Sequence, residues 1–426
     1  MNGIGIETTT TTITTFVLSA LCMYMPSKAK SIFILALLRM STSRQTQLLT
    51  DLFTAYFSAR KHKRSKISQL QFEANYEANI IHLREDIIND RYTIWPSTCF
   101  LISDPVVREI FAADFRDRVV HHLLYNYLYP LYDKHFIYDS YSCRLGKWTH
   151  LGVQRVNHFI RSCSQNYSKD CHILKLDIQW FFMSIDKNIL WKIIYTKRLS
   201  SQAKFPMSPR AKSRGIIVHL LHQIIFHNPT KNYHFVWSRK EYTDLPNDKS
   251  LFHSQHNTWL PIGNITSQLF ANVYLDILDK YIKYELKCKH YGRYVDDFVI
   301  VHEDKDFLLS IIPQIRSFLQ EKLKLTLHPK KIYLQHYSKW VQFLWAIIKP
   351  HRTYINKRTV GNRKKTIYKH KNKQISSEKP YNSTNSYLWL CKHHKSYRVS
   401  RKIWQTMDQW FREKCELVDY VCCVRK

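Results

Sequence analysis

The sequence predicts an α+β fold, in which a small antiparallel sheet is backed by long amphipathic helices. Three observations predict it. His172–Ile178 is a short apolar run in which Leu174 and Leu176 lead into Asp177, the pattern of a buried central strand. Tyr291–His302 reads as strand, turn and strand around Asp296-Asp297. Ser267–Lys287 and Phe307–Leu323 read as helices, the first with Leu269, Phe270, Val273, Tyr274, Ile277, Leu278, Tyr281 and Ile282 in one apolar stripe.

The remaining elements follow along the chain. Residues 1–39 hold a threonine run and two apolar stretches, Ile13–Met25 and Ile32–Leu38. Both are shorter than the ~18 residues of a membrane span. No Lys or Arg precedes the first, so it is not patterned as a signal peptide. This segment is expected to be an unstructured leader, or sequence upstream of a true start at Met40, with a weak membrane anchor as the alternative. Residues 40–103 are expected to be an N-terminal helical region. Ser41–Lys66 is polar and basic with an apolar face, and Phe72–Asp90 places Phe72, Tyr76, Ile80, Leu83 and Ile87 at helical spacing. Pro96 and Pro105 flank a short strand, Cys99–Ile102, and Phe115–Tyr129 reads as a helix.

Charge narrows the partners. The chain carries 65 Lys and Arg against 33 Asp and Glu, a net +32, with 45% apolar residues to build a core. So positive a surface points to a polyanion. Residues 351–402 hold 15 Lys or Arg and one acid, Glu378, interleaved with Tyr354, Tyr368, Tyr381, Tyr387, Trp389 and Tyr397. Cations for phosphates and rings for bases suit a nucleic-acid groove; a solvated helical face is the plainer alternative. Ten cysteines without a CxxC pair read as reduced thiols in a cytoplasmic protein. A zinc site from Cys391, His393, Cys415 and Cys422 has irregular spacing.

Asp296 and Asp297 stand between apolar neighbours, Tyr294-Val295 before and Phe298–Val301 after. Adjacent carboxylates in such a place repel each other and lose hydration, which is costly without a cation. With Asp177 they would form the hard oxygen cage that Mg²⁺ takes, with Mn²⁺ as a substitute.

These motifs, in this order, resemble those of a reverse transcriptase. Tyr294-Val295-Asp296-Asp297 is similar to the family's catalytic box, and Leu176-Asp177-Ile178 with Phe181-Phe182 to its first catalytic motif. Pro261 through Gln268 (PIGNITSQ) resembles the template and nucleotide motif, His328-Pro329-Lys330-Lys331 the basic motif after the hairpin, and Phe343-Leu344 the start of the primer grip. Phe111–His122 and Asp139–His150 resemble fingers motifs. The resemblance covers roughly residues 60–410. It implies a right hand, with fingers and palm over 104–350 and a basic helical thumb over 351–426, that copies RNA into DNA. It further implies that two metal ions on Asp177, Asp296 and Asp297 activate a primer 3′-hydroxyl and stabilise pyrophosphate. Arg108 would grip the triphosphate, Phe182 would exclude a ribose 2′-hydroxyl, Ile262 and Gly263 would line the nucleotide site, and Lys331 or Lys330 would meet the pyrophosphate. Arg144, Lys147, Gln268, Arg363, Lys364 and Lys365 would contact nucleic acid. Template RNA, primer or cDNA, and dNTPs are the implied partners.

The IGNITSQ form and the RDRVVHH segment are most similar to reverse transcriptases of diversity-generating retroelements. Most other relatives have Gln at the place of Ile262; its loss removes a polar check on base-pair geometry and implies error-prone copying. That subtype also implies a small basic accessory protein. A phage-defence reverse transcriptase working with a non-coding RNA is the alternative, and a catalytically dead RNA-binding module is the alternative from another class. Arg116 and Arg118 read as surface or ion-pair residues, His121-His122 as packing or RNA contact, and Asp186 as a helix cap.

The chain has only 8 Gly against 11 Trp. Trp148, Trp259, Trp345 and Trp389 stand where the resembled family usually has Gly, and Trp180 and Trp340 extend the set. The codon UGA means Gly in some bacterial codes and Trp in others, so a translation under the wrong code would produce this substitution selectively. A genuine variant with altered motifs is the alternative.

Overall fold

The computed structural model describes residues 44–61, 66–102, 107–196, 210–236, 245–359, 361–362, 378–393, 397–405, 407, 409–418 and 422–425. The expected leader, 1–39, and Arg363, Lys364 and Lys365 lie outside them. Among the described residues no helix is long and apolar enough to cross a membrane.

The N-terminal region is helical: α1 (Arg44–Arg60), α2 (Ile67–Ala74) and α3 (Tyr76–Ile88). The single helix expected over Phe72–Asp90 is thus two. Asn75, at φ −134° and ψ 46°, breaks it, and Asn79 Nδ2 donates to the freed Phe72 carbonyl at 3.0 Å. The apolar stripe runs through the break, because Tyr76 stacks on Tyr56 at 5.0 Å while Phe72 meets Phe115.

Strands β1 (Ser97–Ile102) and β2 (Arg108–Ala112) pair antiparallel and lead into α4 (Phe115–Asp133). This helix runs four residues past the expected end at Tyr129 and contains Pro130. The Asp114 side chain caps its start by accepting from the Arg116 amide. Helix α5 (Thr149–Cys163) precedes β3 (His172–Asp177), the expected carboxylate-ended strand. Then come α6 (Phe181–Ser184), α7 (Lys187–Ile194) and α8 (Arg210–Phe226), and β4 (Tyr233–Phe235), which adds to β1 in parallel.

Helix α9 (Ile265–Lys280) is shorter than Ser267–Lys287 predicted; Tyr281–Glu285 widens into a π turn, where Tyr281 stacks on Phe318 at 4.0 Å. The hairpin of β5 (His290–Tyr294) and β6 (Asp297–His302) follows, then α10 (Lys305–Leu323) and β7 (Tyr333–His336). Strands β8 (Val341–Phe343), β9 (Ala346–Lys349) and β10 (Arg352–Ile355) make a separate antiparallel sheet. The C-terminal region holds α11 (Glu378–His393), α12 (Tyr397–Gln405), α13 (Gln409–Lys414) and a hairpin of β11 (Cys415–Val418) and β12 (Cys422–Arg425), so it is not wholly helical.

The central sheet has the order β5-β6-β3-β7, all neighbours antiparallel. Strand alternation sends its two faces into different cores. Leu174, Leu176, Phe298 and Ile300 face the large helical core with Leu269 and Phe270 of α9 and Leu308, Ile311 and Ile315 of α10. Ile173, Val299 and Val301 face Val153, Val156 and Phe159 of α5 together with Val341, Phe343 and Ile348. Buried on both sides, β3 and β6 are held in one register, and that register sets Asp177 opposite Asp297.

Candidate active site

Two strand ends build the site. Asp177 closes β3 and pairs across the sheet with Asp297, the first residue of β6. Tyr294 also pairs with Asp297, so Val295 and Asp296 form a two-residue hairpin loop. Such loops favour positive φ at the first loop residue, and Val295 adopts φ 56°. The Ile178 amide donates to the Asp296 carbonyl at 3.1 Å, which ties this turn to the residue after Asp177.

Charges surround the acids. Lys331 Nζ lies 3.1 Å from both oxygens of Asp177, and Lys175 Nζ lies 3.1 Å from Asp297 Oδ2. Burial, joined by the Asp177 charge, pushes the Asp296 carboxyl up to about 6, while Lys331 and Arg108 pull it down. Burial pushes Asp297 up to about 7 against the pull of Lys175. Asp297 Oδ1 is buried without a hydrogen-bond partner. Carboxylates crowded at the cost of their own ionisation, one with an orphaned oxygen, are a donor set that fits a hard divalent cation. They are not yet gathered into a cage: among the described residues no group of three or more His, Cys, Asp or Glu stands ready to hold an ion. The zinc alternative gains nothing either. Cys391 and Cys415 are buried, Cys422 is half-buried, and the side chain of His393 lies outside those described.

The residues expected to line a nucleotide site lie on several elements. Arg108 is exposed at the start of β2, close enough for its charge to act on Asp296. Phe182 is half-buried against the large core, and its carbonyl accepts from the Leu260 amide at 2.8 Å. The Ile262 carbonyl accepts from the Phe111 amide at 3.2 Å, docking the PIGN segment on β2. Gly263 has φ 126°, and a Cβ there would come within 3.0 Å of Ile110, so both conformation and space require glycine. Gln268, exposed on the first turn of α9, lines a cavity of about 370 Å³ with Tyr294, Tyr125, Cys143 and Lys147.

Arg144, expected to contact nucleic acid, is turned largely into the protein. Its guanidinium is buried, donating to Asp133 Oδ1 at 2.6 Å and to the carbonyls of Ile137, Ser140 and Asp133 at 2.7, 3.0 and 3.1 Å. Four of its five N–H donors are thus engaged within the protein, so Arg144 braces the loop that carries Lys147. Lys147 itself lies over the Tyr138 ring at 3.7 Å, and burial lowers its ammonium to about 8.

Arg116 is an ion-pair residue, 2.8 Å from Asp86, but buried rather than on the surface. Arg118 donates to the Ala113 carbonyl at 3.0 Å. His121 is packing: it is buried, its Nδ1 lies 2.7 Å from Thr266 Oγ1, and burial holds it down to about 3. Asp186 caps α7 by accepting from the Asn188 and Ile189 amides, and pairs with Lys324 at 2.8 Å.

Sequence reasoning missed Lys175, Arg293 and Asp279. Lys175 had a readable signal, since two residues before Asp177 on a strand is the same face.

A family model described as reverse transcriptase (RNA-dependent DNA polymerase) matches residues 106–348. No curated protein matches the chain. Among solved structures, the apo telomerase of Candida tropicalis aligns at 12% identity and TM-score 0.43, covering 75% of this chain and 59% of that one. The telomerase of Candida albicans bound to a fragment of telomeric RNA aligns at 12% identity and TM-score 0.47, covering 80% and 60%. This chain thus spans about three fifths of the length of those structures. Likeness this loose carries no functional argument.

Proposed function

The chain belongs to the reverse transcriptase family, and we propose that it copies an RNA template into DNA by nucleotidyl transfer where Asp177, Asp296 and Asp297 meet. The observation that carries this reading is the pairing of Asp177 with Asp297 across two strands far apart in sequence, with Asp296 in the adjoining turn and the charges of Lys331 and Arg108 acting on it, in a chain of net charge +32.

In the reaction the primer 3′-hydroxyl gives up its proton to water, its oxygen bonds to the α-phosphorus of a dNTP, the bond to the β-phosphate oxygen breaks, and pyrophosphate leaves. Asp177, Asp296 and Asp297 would hold two Mg²⁺ ions, or Mn²⁺, which lower the pKa of the 3′-hydroxyl and neutralise the leaving group. The chain's own groups do the rest. Arg108 forks onto the triphosphate. Lys331, half-exposed on Asp177, supplies an ammonium to the pyrophosphate oxygen as its bond breaks. Phe182 rejects a 2′-hydroxyl by bulk, and Ile262 with Gly263 lines the nucleotide site. Lys147 and Gln268, at the cavity beside Tyr294, meet the template. Arg363, Lys364 and Lys365 meet the duplex from a basic thumb, residues 351–426, with fingers and palm over 104–350.

Aliphatic Ile262 supports error-prone copying and the diversity-generating subtype, with a small basic accessory protein and a cytoplasmic setting. The test is primer extension on an RNA template. Asp296→Ala with Asp297→Ala is expected to abolish cDNA synthesis and leave RNA affinity unchanged. Persistent synthesis in that variant would remove these acids from the site.

A further inference from the structure

Arg293 stands on β5, two residues before Val295, with its side chain wholly excluded from water. A guanidinium in such a place is costly unless its donors are met. Its Nε and Nη2 fork onto Asp279 of α9 at 2.7 and 2.6 Å, and Nη2 also reaches Ser140 Oγ at 3.4 Å. The Tyr291 hydroxyl donates to the same carboxylate at 2.6 Å and fixes its orientation. Neutralising Asp279 uses only one edge of the fork. The other, Nη1, donates to the Val295 carbonyl at 2.9 Å.

That carbonyl matters because of where it is. Val295 holds φ 56°, a left-handed conformation that a β-branched residue disfavours. The turn would relax by rotating the peptide between Val295 and Asp296, and the rotation would swing the Asp296 carboxylate. We propose that Arg293 is a positioning residue, whose guanidinium, anchored on Asp279, pins the Val295 carbonyl and so fixes Asp296 and Asp297 in the site. The next carbonyl, that of Asp296, is pinned by the Ile178 amide, so successive peptides are held from opposite sides. The backbone of Arg293 is itself fixed: its amide donates to the Asp139 carbonyl at 2.9 Å and its carbonyl accepts from the Tyr141 amide at 3.0 Å. This inference rests on the polymerase reading of the same acids.

Arg293→Lys tests it. Lysine keeps the charge for Asp279 but is a point donor without the planar fork that serves both acceptors. A second variant guards against misfolding: Arg293→Met, Asp279→Leu and Tyr291→Phe together remove the buried charges and the hydroxyl that would lose its partner. Four readouts apply: thermal midpoint, affinity for an RNA–primer duplex without divalent ion, amide exchange at residues 295–297, and kcat and KM for dNTP. In both variants the expected result is a protein that still unfolds cooperatively and keeps its duplex affinity, with faster exchange at 295–297, a kcat lowered about 100-fold and a little-changed KM. Folded variants with parental exchange and a kcat within about threefold would overturn the clamp. If the parent itself makes no cDNA, the polymerase reading fails separately, and amide exchange alone decides the clamp.

Discussion

Trp180 caps the start of α6 at φ 47° and ψ 39°, the left-handed region. Trp259 has φ 130°, also a conformation suited to glycine. Trp148, at φ −131°, is ordinary extended backbone, and neither Trp345 nor Trp389 has positive φ. The set of tryptophans read from the sequence therefore divides in two, and only Trp180 and Trp259 strain the chain. Their indoles differ as well. Trp259 is buried and covers the Lys187 ammonium at 3.4 Å, whereas Trp180 is half-exposed. Trp180→Gly relieves the left-handed strain and gives up little packing. It is expected to stabilise the protein by about 1 kcal/mol, measured by denaturant unfolding. A loss of stability would show that the indole contributes more than the strain costs. At this scale the acids were readable, because carboxylates among apolar residues stand out. Arg293 was not, because a buried Arg in a strand reads as an exposed one until its partner on another element is seen.

Among the elements, β2 shows how a buried acid fastens one segment to another. Glu109, beside Arg108, is buried and accepts from the Leu251 amide at 2.6 Å and from Ser250 Oγ at 3.2 Å. Burial pushes its carboxyl up to about 7 from 4.5, despite those two bonds. Its folded pKa is raised, so between pH 4.5 and 7 the folded state binds more protons than the unfolded, and stability falls as pH rises through that window. Glu109→Gln keeps an acceptor and removes the charge. It is expected to stabilise the protein by roughly 2 kcal/mol at pH 8 and to have little effect at pH 4, read from thermal or denaturant midpoints. An equal gain at both pH values would exclude ionisation as the cause. The long, strongly periodic elements, β3, β6, α9 and α10, were legible from their own residues. The break at Asn75 was not, because the stripe stays in phase across it. The π turn at Tyr281 was hidden as well, because it coincides with a ring stacked from α10.

For the whole molecule, charge is the coarse determinant. A surface of net +32 should bind RNA with a steep salt dependence. Replacing Arg363, Lys364 and Lys365 with Ala is expected to weaken binding and to lower the slope of log K against log salt by about 2. An unchanged slope would take them off the binding surface. The sheet's two-sided burial could be read from the near-continuous apolar runs of β3 and β6. The small sheet of β8, β9 and β10 could not, because its strands are too short for a period to show.

The pairing of β3 with β6 also has a consequence in time. Asp177 meets Asp297 only after the intervening chain has been made and arranged, and β1 likewise awaits β4. Contacts between such distant segments form late and slowly. A ribosome that stalls before residue 297 therefore releases a basic chain in which Asp177 has no Asp297 to pair with. The finished fold and the nascent chain thus differ in which carboxylates stand side by side.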